Sequence, residues 1–174
     1  MNNQHNLVLL GFMGTGKSAA GRKLAALTCA PLLDMDAEVE RRAGKSIARI
    51  FEEDGEAVFR RMEAELAAEW GAQKAGAIIV CGGGVVLNEE NLRQLSRHGK
   101  LVCLTARPEV IIRRVAGHDE RPLLQGGRLE QQVATLLEER KEAYERIPIQ
   151  VDTSDLDMDS LSARLIRVWR HASS

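Results

Sequence analysis

The sequence predicts a three-layer α/β/α sandwich built on a five-stranded parallel sheet. Short apolar segments with the pattern of buried strands alternate with amphipathic helical segments along the whole chain. That alternation is typical of parallel strands joined by right-handed helical crossovers. With 174 residues, of which 44% are hydrophobic, the chain can bury one substantial core. We therefore expect residues 1–174 to form a single domain.

The first strand, residues 7–10, leads into a glycine-rich loop. Residues 11–18 read Gly-Phe-Met-Gly-Thr-Gly-Lys-Ser, the spacing of a phosphate-binding loop, and helical periodicity follows over residues 18–27. Glycines let the backbone amides turn inward, and the helix start adds partial positive charge, so the main chain itself can hold phosphate oxygens. We expect Lys17 to reach the β- and γ-phosphates and the Ser18 hydroxyl to ligate Mg²⁺. The predicted ATP-binding residues in this stretch are Gly14, Thr15, Gly16, Lys17, Ser18 and Ala19.

The second strand, residues 31–34, is expected beside the first, and two acids mark its carboxyl end. Ligands of open parallel sheets collect at that end, so Asp34 and Asp36 are candidates to orient Mg²⁺ through water and to hold an acceptor hydroxyl. The alternative for Asp36 is a purely structural role as a helix N-cap. Helical segments follow at 37–43, at 47–51 behind a Ser46 cap, and at 56–74. Together they form a predicted helical insert at about 37–75.

The third strand, residues 77–81, is apolar throughout, as burial on both sheet faces requires, and runs into Gly82-Gly83-Gly84. Bare backbone after a buried strand lets a ligand approach the amides closely. Residues 116–128 combine glycines, a proline and mixed charges, and we interpret them as a mobile lid. The other predicted elements are a helix at 89–97, a strand at 100–104, a helix opened by Pro108, a helix at 129–144, a strand at 149–151 and a helix at 161–169.

Composition argues against several classes of partner. The chain has 24 Lys and Arg against 25 Asp and Glu, and its basic and aromatic residues do not interleave, so we expect no nucleic acid partner. Apolar runs are too short to span a bilayer, and the polar start is no secretory signal, so a cytoplasmic protein is expected. Cys29, Cys81 and Cys103 form no CxxC pair, and we expect buried, reduced thiols.

A phosphate-binding loop does not by itself identify a reaction, because kinases, GTP switches, motor ATPases and regulatory modules share it. Two arginines are candidates for the second substrate, yet each has an ordinary explanation. Arg60 can pair with Glu63 at i,i+3 on a helix surface, and Arg140 lies among glutamates on a predicted helix face. The Gly82-Gly83-Gly84 run favours a ligand-binding role for these arginines over a surface role.

These features together resemble the shikimate kinase family, in the family's order and over almost the whole chain. The matching motifs are GFMGTGKS (11–18), Asp34-Met35-Asp36, Phe51-x3-Gly55-Glu56-x2-Phe59-Arg60-x2-Glu63, Gly82-Gly83-Gly84, Arg121-Pro122-Leu123-Leu124 and Arg140-x3-Tyr144. The resemblance implies a P-loop fold of the nucleoside monophosphate kinase type, with a helical substrate-binding insert and a lid. It also implies an enzyme that transfers the ATP γ-phosphate to the 3-hydroxyl of shikimate, on the pathway to aromatic amino acids.

The resemblance implies roles on the acceptor side. Asp36 is expected to bind the shikimate hydroxyls near the nucleophile. Arg60 and Arg140 are expected to fork onto the shikimate carboxylate, for which a planar guanidinium is the suited donor. Gly82 and Gly83 are expected to offer backbone amides.

On the nucleotide side, the resemblance implies that Asp34 supports Mg²⁺ through water and that Arg121 swings in with the lid to neutralise developing charge. Arg114 corresponds to a position that flanks adenine, with a surface role as the alternative. The predicted catalytic residues are thus Lys17, Asp34, Asp36 and Arg121. Which aspartate takes the proton stays open. The expected partners are shikimate and ATP with Mg²⁺ as cofactor, and the family resemblance implies a monomer.

Two segments depart from the family pattern. His118-Asp119-Glu120 makes the lid more acidic, and residues 154–157 offer no Arg or Gln to cover the adenine. Two other functions remain open: a gluconate-type or nucleoside monophosphate kinase on the same scaffold, and a P-loop binding module without phosphoryl transfer. Paired arginines and the glycine run favour a small carboxylated acceptor over the first. Retention of Lys17, Ser18, Asp36 and Arg121 counts against the second.

Overall fold

The computed structural model describes residues 5–116 and 129–170, and its sheet confirms the predicted α/β architecture. All strand pairs in the five-stranded sheet are parallel, and the order is β2-β3-β1-β4-β5. The strands are β1 Asn6–Gly11, β2 Leu32–Asp34, β3 Ile78–Val80, β4 Gly99–Thr105 and β5 Gln150–Asp152. The helices are α1 Lys17–Thr28, α2 Met35–Ala43, α3 Ile47–Glu53, α4 Glu56–Gly71, α5 Glu89–Ser96, α6 Pro108–Val115, α7 Leu129–Glu145 and α8 Met158–Arg170, with a 3-10 helix at Val85–Leu87.

The strand order corrects one expectation, because β2 does not lie beside β1. β3 separates them, with Ile78 in register with both Leu7 and Leu32. The residues of β3 are fully buried, whereas those of β2 are half-buried, so β3 suits the interior and β2 the edge. Since β2 and β3 lie on one side of β1 and β4 and β5 on the other, the loop after β1 occupies the switch point of the sheet.

Two hydrophobic layers cover the sheet, and alternation along β1 divides them. Val8 and Leu10 point to one layer, which also holds the insert helices and α7. Leu7 and Leu9 point to the other, against α1 and α8. The helices that follow β2 therefore share a layer with the loop end of β1, which places them beside the phosphate-binding loop.

Local signals at several helix ends are also confirmed. Ser46 accepts from the Arg49 amide at the start of α3, and Pro108 occupies the first turn of α6. At α2 the cap is Asp34, whose carboxylate accepts from the Ala37 amide, so the alternative that Asp36 serves as N-cap was wrong. Asp36 lies one residue inside the helix.

The cysteines differ in their exposure. Cys81 and Cys103 are buried free thiols, as expected. Cys29 is a free thiol too but is exposed, because it caps the end of α1.

Among the helices of the described ranges, none combines the length and hydrophobicity that a membrane-spanning segment requires. The predicted lid lies almost entirely outside those ranges, and Arg121 with it.

Candidate active site

The phosphate-binding loop forms an open cradle between β1 and α1. Gly14 and Gly16 both adopt positive φ, at 76° and 97°, which L side chains rarely adopt. Lys17 is 8% exposed, and its Nζ donates to the carbonyl oxygens of Gly11 and Phe12 at 2.7 and 2.9 Å. The Lys17 ammonium is therefore held against the loop, where a phosphate bound in the loop would attract it.

A cavity of about 850 Å³ extends from this loop to the insert helices and α7. One end is lined by the loop itself, and the other by side chains from α2, α3, α4 and α7 and by residues 81–84, which follow β3. Most of the residues assigned to the site by sequence line this one cavity: Gly14, Gly16, Lys17, Ser18, Ala19, Asp36, Arg60, Gly82, Gly83, Arg114 and Arg140. Thr15 and Asp34 are not among its lining residues.

The glycine run lies where the two ends of the cavity meet. A β-carbon on Gly82 would stand 2.6 Å from Glu63 Oε1 and 2.8 Å from Asp36 Oδ1. On Gly84 it would overlap the Arg60 guanidinium. Gly83 faces the phosphate-binding loop and Tyr144. A side chain at Gly82 or Gly84 would therefore displace charged groups of α2 and α4 that here lie against bare backbone.

Arg60 is held by two carboxylates of its own helix. Its Nη1 donates to Glu63 Oε2 at 2.5 Å, while Nε and Nη2 donate to Glu56 Oε1 at 3.1 and 2.9 Å. Its guanidinium carbon also lies 5.2 Å from the centroid of the Phe59 ring. These contacts hold the guanidinium in one orientation at the cavity wall.

Glu63 is not the surface partner that i,i+3 spacing suggested, because its side chain is only 1% exposed. Burial raises the pKa of its carboxyl to about 7, and the Asp36 charge acts in the same direction, against the effect of Arg60 and Arg140. Among the described residues, nothing bonds to its Oε1. Glu63 thus offers the cavity an unsatisfied carboxyl oxygen near Asp36.

Arg140 is buried, at 6% exposure, rather than displayed on a solvated helix face. Its Nη1 lacks a hydrogen-bond partner within the described part of the chain. One turn later on α7, the Tyr144 hydroxyl donates to the Gly83 carbonyl at 2.6 Å. α7 therefore contributes a cation to the cavity and also fixes the glycine run.

Arg114 joins the nucleotide end of the cavity to the sheet. Its guanidinium donates to the Gly14 carbonyl at 3.2 Å and to the Thr153 hydroxyl and carbonyl at 3.0 and 2.9 Å. It is half-buried, and these contacts go beyond an ordinary surface role. The loop after β5 is held separately, since Arg107 makes a bidentate pair with Asp155 at 2.7 and 2.8 Å.

Sequence reasoning interpreted Glu63 as an ordinary surface ion-pair partner of Arg60, although a signal for its burial was present. Glu63 falls on the same helical face as Phe59, Leu66 and Trp70, all of which are buried. Arg140 likewise shares the buried face of α7 with Val133 and Tyr144. A charged residue on an apolar stripe indicates a buried charge and not a surface pair.

The Ser18 hydroxyl is the candidate protein ligand for Mg²⁺ carried by a nucleotide. Within the described residues, no cluster of three or more His, Cys, Asp or Glu is placed to hold a metal. Mg²⁺ in phosphoryl-transfer sites usually keeps several waters and needs only one or two protein ligands beside the phosphates. The Ser18 hydroxyl, beside Lys17 in the cavity, fits that requirement.

Comparison with known proteins agrees with this geometry. The family model described as shikimate kinase matches residues 13–169. A shikimate kinase of Pelotomaculum thermopropionicum is 45% identical over 161 residues, covering 92% of this chain and 93% of the relative. A shikimate kinase of Desulforudis audaxviator is 49% identical over 148 residues, covering 85% and 77%.

Among solved structures, shikimate kinase from Acinetobacter baumannii in complex with shikimate superposes with a TM-score of 0.89. It is 32% identical, and the match covers 96% of this chain and 93% of that one. Both the sequence and the fold of this chain therefore match those of these relatives along nearly its whole length.

Proposed function

The chain belongs to the shikimate kinase family, and on that premise we propose that it transfers the γ-phosphate of ATP to the 3-hydroxyl of shikimate. The products are shikimate 3-phosphate and ADP. One observation carries the proposal: the buried Arg140 guanidinium, with no partner at Nη1 among the described residues, lines the same cavity as the phosphate-binding loop. An acceptor that brings a carboxylate satisfies that group.

The two arginines, Arg60 and Arg140, determine which acceptor binds. A carboxylate accepts two parallel bonds from a guanidinium fork, and such charge-assisted bonds are about twice as strong as neutral ones. Arg60 is already oriented by Glu56 and Glu63, so it binds without first losing side-chain freedom. Arg60 and Arg140 together hold the carboxylate at the end of the cavity away from the loop.

The acceptor hydroxyls lie toward the loop in this arrangement. Asp36 accepts from them, and the backbone amides of Gly82 and Gly83, which carry no side chain of their own, donate to the same groups. The unsatisfied Glu63 oxygen requires a donor as well, which a substrate hydroxyl or a bound water supplies. Phosphoryl transfer needs mainly such positioning in line with the γ-phosphate.

The nucleotide end of the cavity supplies positive charge to the phosphates of ATP. Lys17 moves from the loop carbonyls to the β- and γ-phosphates, and Gly14, Thr15, Gly16 and Ala19 hold phosphate oxygens through the main chain. The Ser18 hydroxyl would hold Mg²⁺ directly and Asp34 would hold it through a water, and the bound ion would supply charge neutralisation at the phosphates. Arg121 joins them from the lid, and proton removal falls to Asp34 or Asp36. A monomeric state and a cytosolic location stay predictions.

A coupled assay of ADP release with ATP and Mg²⁺ tests the proposal, with shikimate, gluconate and nucleoside monophosphates as separate acceptors. Release that depends on shikimate alone is the expected result. Turnover with gluconate or a nucleotide would assign the cavity to another small-molecule kinase. ATP-induced thermal stabilisation without turnover on any acceptor would instead identify a binding module.

A further inference from the structure

We propose that Thr153 is a positioning residue for nucleotide binding, whose hydroxyl holds the phosphate-binding loop in its receptive shape. This inference rests on the proposed function only in taking ATP as the ligand of the loop. Thr153 follows β5, far from residues 11–18 in sequence, and does not line the cavity. It acts through the loop and not on the substrate.

The Thr153 hydroxyl is buried at the meeting point of three elements. The residue is 2% exposed, and Oγ1 lies 3.0 Å from the Thr15 carbonyl, 3.1 Å from the Thr105 carbonyl and 3.0 Å from Arg114 Nη1. A hydroxyl donates one proton and accepts through its lone pairs. It therefore accepts from Arg114 and donates to one of the two carbonyls.

The Thr15 carbonyl is the partner for which this donation matters. The Thr105 carbonyl already accepts from the Thr153 amide at 2.9 Å as the parallel ladder ends. The hydroxyl is thus the group that ties the loop, through Thr15, to the end of the sheet. A buried carbonyl that loses its donor costs more than the average hydrogen bond contributes.

Peptide geometry turns this contact into an orientation of the loop. The carbonyl and N–H of one planar trans peptide point to opposite sides. Holding the Thr15 carbonyl against Thr153 therefore aims the Gly16 N–H away from the sheet, on the side where Gly16 lines the cavity. Phosphate oxygens are expected on that side.

Arg114 reinforces the same orientation one residue earlier. Its Nη1 donates to the Gly14 carbonyl at 3.2 Å while Nη2 donates to the Thr153 carbonyl at 2.9 Å. Gly14 also packs closely on α6, since a β-carbon there would stand 2.9 Å from Val115 Cγ1. Two successive loop carbonyls are thus fixed by the same pair of residues.

The test replaces Thr153 and measures nucleotide and acceptor binding separately by calorimetry. Thr153→Val removes the hydroxyl at nearly constant size, and Thr153→Ala does so with a smaller side chain that tests the same point if valine does not fold. Both are expected to raise the ADP Kd about three- to tenfold, because the Thr15 carbonyl loses the hydrogen bond that orients the loop. Thr153→Ser keeps the hydroxyl and should restore the Kd to within about twofold, while shikimate affinity stays unchanged in all three.

Thr28→Val is the matched control, because its hydroxyl also bonds a backbone carbonyl, at 2.7 Å, but at the far end of α1. It should leave ADP binding unchanged. An unaltered ADP Kd in Thr153→Val, a serine variant as weak as valine, or a parallel loss of shikimate affinity would overturn the proposal. ADP binding needs no acceptor, so a wild-type chain that binds ADP but does not phosphorylate shikimate would refute the proposed function and leave this test valid.

Discussion

The two ends of the cavity are built in different ways. At the nucleotide end, one contiguous loop of residues 11–18 presents backbone groups and a single lysine. At the acceptor end, side chains from α2, α4 and α7 converge on the glycine run after β3, where Glu63 and Arg140 are buried and Arg60 pairs with Glu63. The groups expected to contact phosphate are therefore mostly neighbours in the chain, whereas those expected to contact the acceptor come together only in the completed fold.

This difference predicts different consequences of substitution. A change in the loop should affect catalysis directly, because phosphoryl transfer depends on charge neutralisation at the phosphates. A change at the acceptor end should affect binding of the acceptor. Because the charges there are coupled, the change should also alter how acceptor binding depends on pH. Four substitutions separate the two ends.

Lys17→Met is expected to have the largest effect, lowering kcat by about 10³-fold because the phosphates lose their mobile cation. Steady-state kinetics and circular dichroism together measure the loss and check that the fold is retained. Lys23→Met makes the same change on the same helix, where Lys23 pairs with exposed Asp159, and should be silent. Substantial turnover in Lys17→Met would overturn the loop assignment.

Arg140→Gln comes next, with an expected rise in the shikimate KM of about 10- to 100-fold, the effect of losing a charged hydrogen bond. The ATP KM should not change, because Arg140 lies at the other end of the cavity. Arg146→Gln is the control, since Arg146 forms an exposed pair with Glu89 just beyond α7. An unchanged shikimate KM in Arg140→Gln would remove this residue from the acceptor site.

Glu63→Gln tests the electrostatics of the acceptor end. Burial raises the pKa of Glu63 to about 7 from an ordinary 4.5, so between those pH values the folded chain holds a proton that the unfolded chain has released. The contribution of Glu63 to the free energy of unfolding is therefore present at low pH and falls as pH rises through that window. Its size is up to about 3 kcal/mol.

Urea unfolding at pH 5 and pH 8 measures that contribution. The wild type should lose more stability between these two pH values than Glu63→Gln, which cannot titrate. Glu65→Gln, on the exposed side of the same helix, should follow the wild type. Identical pH dependence in wild type and Glu63→Gln would contradict the buried-carboxyl account.

Asp155→Asn is expected to have the smallest effect. It breaks the Arg107 pair that holds the loop after β5, but both groups are exposed, and exposed ion pairs contribute little. The ATP KM should change by less than about twofold. A large rise in the ATP KM would extend the nucleotide end to residues 154–157.

The comparison also explains what the sequence could predict. The phosphate-binding loop was predictable because its glycines, lysine and serine are neighbours in the chain and need no tertiary information. Which strands lie side by side is not encoded locally, and the predicted position of β2 beside β1 was accordingly wrong. The cap of α2 fell on Asp34 instead of Asp36, since a shift of one or two residues at a helix boundary is common.

Sequence indicated which side chains come together at this end of the cavity, but not their electrostatics. Family motifs brought Asp36, Arg60 and Arg140 together, and they line one cavity as expected. Spacing alone described the Arg60–Glu63 pair as a surface contact, because burial depends on how α4 packs against the sheet. Only the fold shows that Glu63 is enclosed and that burial raises the pKa of its carboxyl to about 7.

Binding of shikimate and of its methyl ester tests the central claim most directly. Calorimetric titration of both ligands into the wild type and into Arg140→Gln forms a thermodynamic cycle between the ligand carboxylate and this guanidinium. The account predicts that the ester binds the wild type about 10- to 100-fold more weakly than shikimate, and that this difference shrinks about tenfold in the variant. Equal affinity for acid and ester, or a difference unchanged by the substitution, would contradict it.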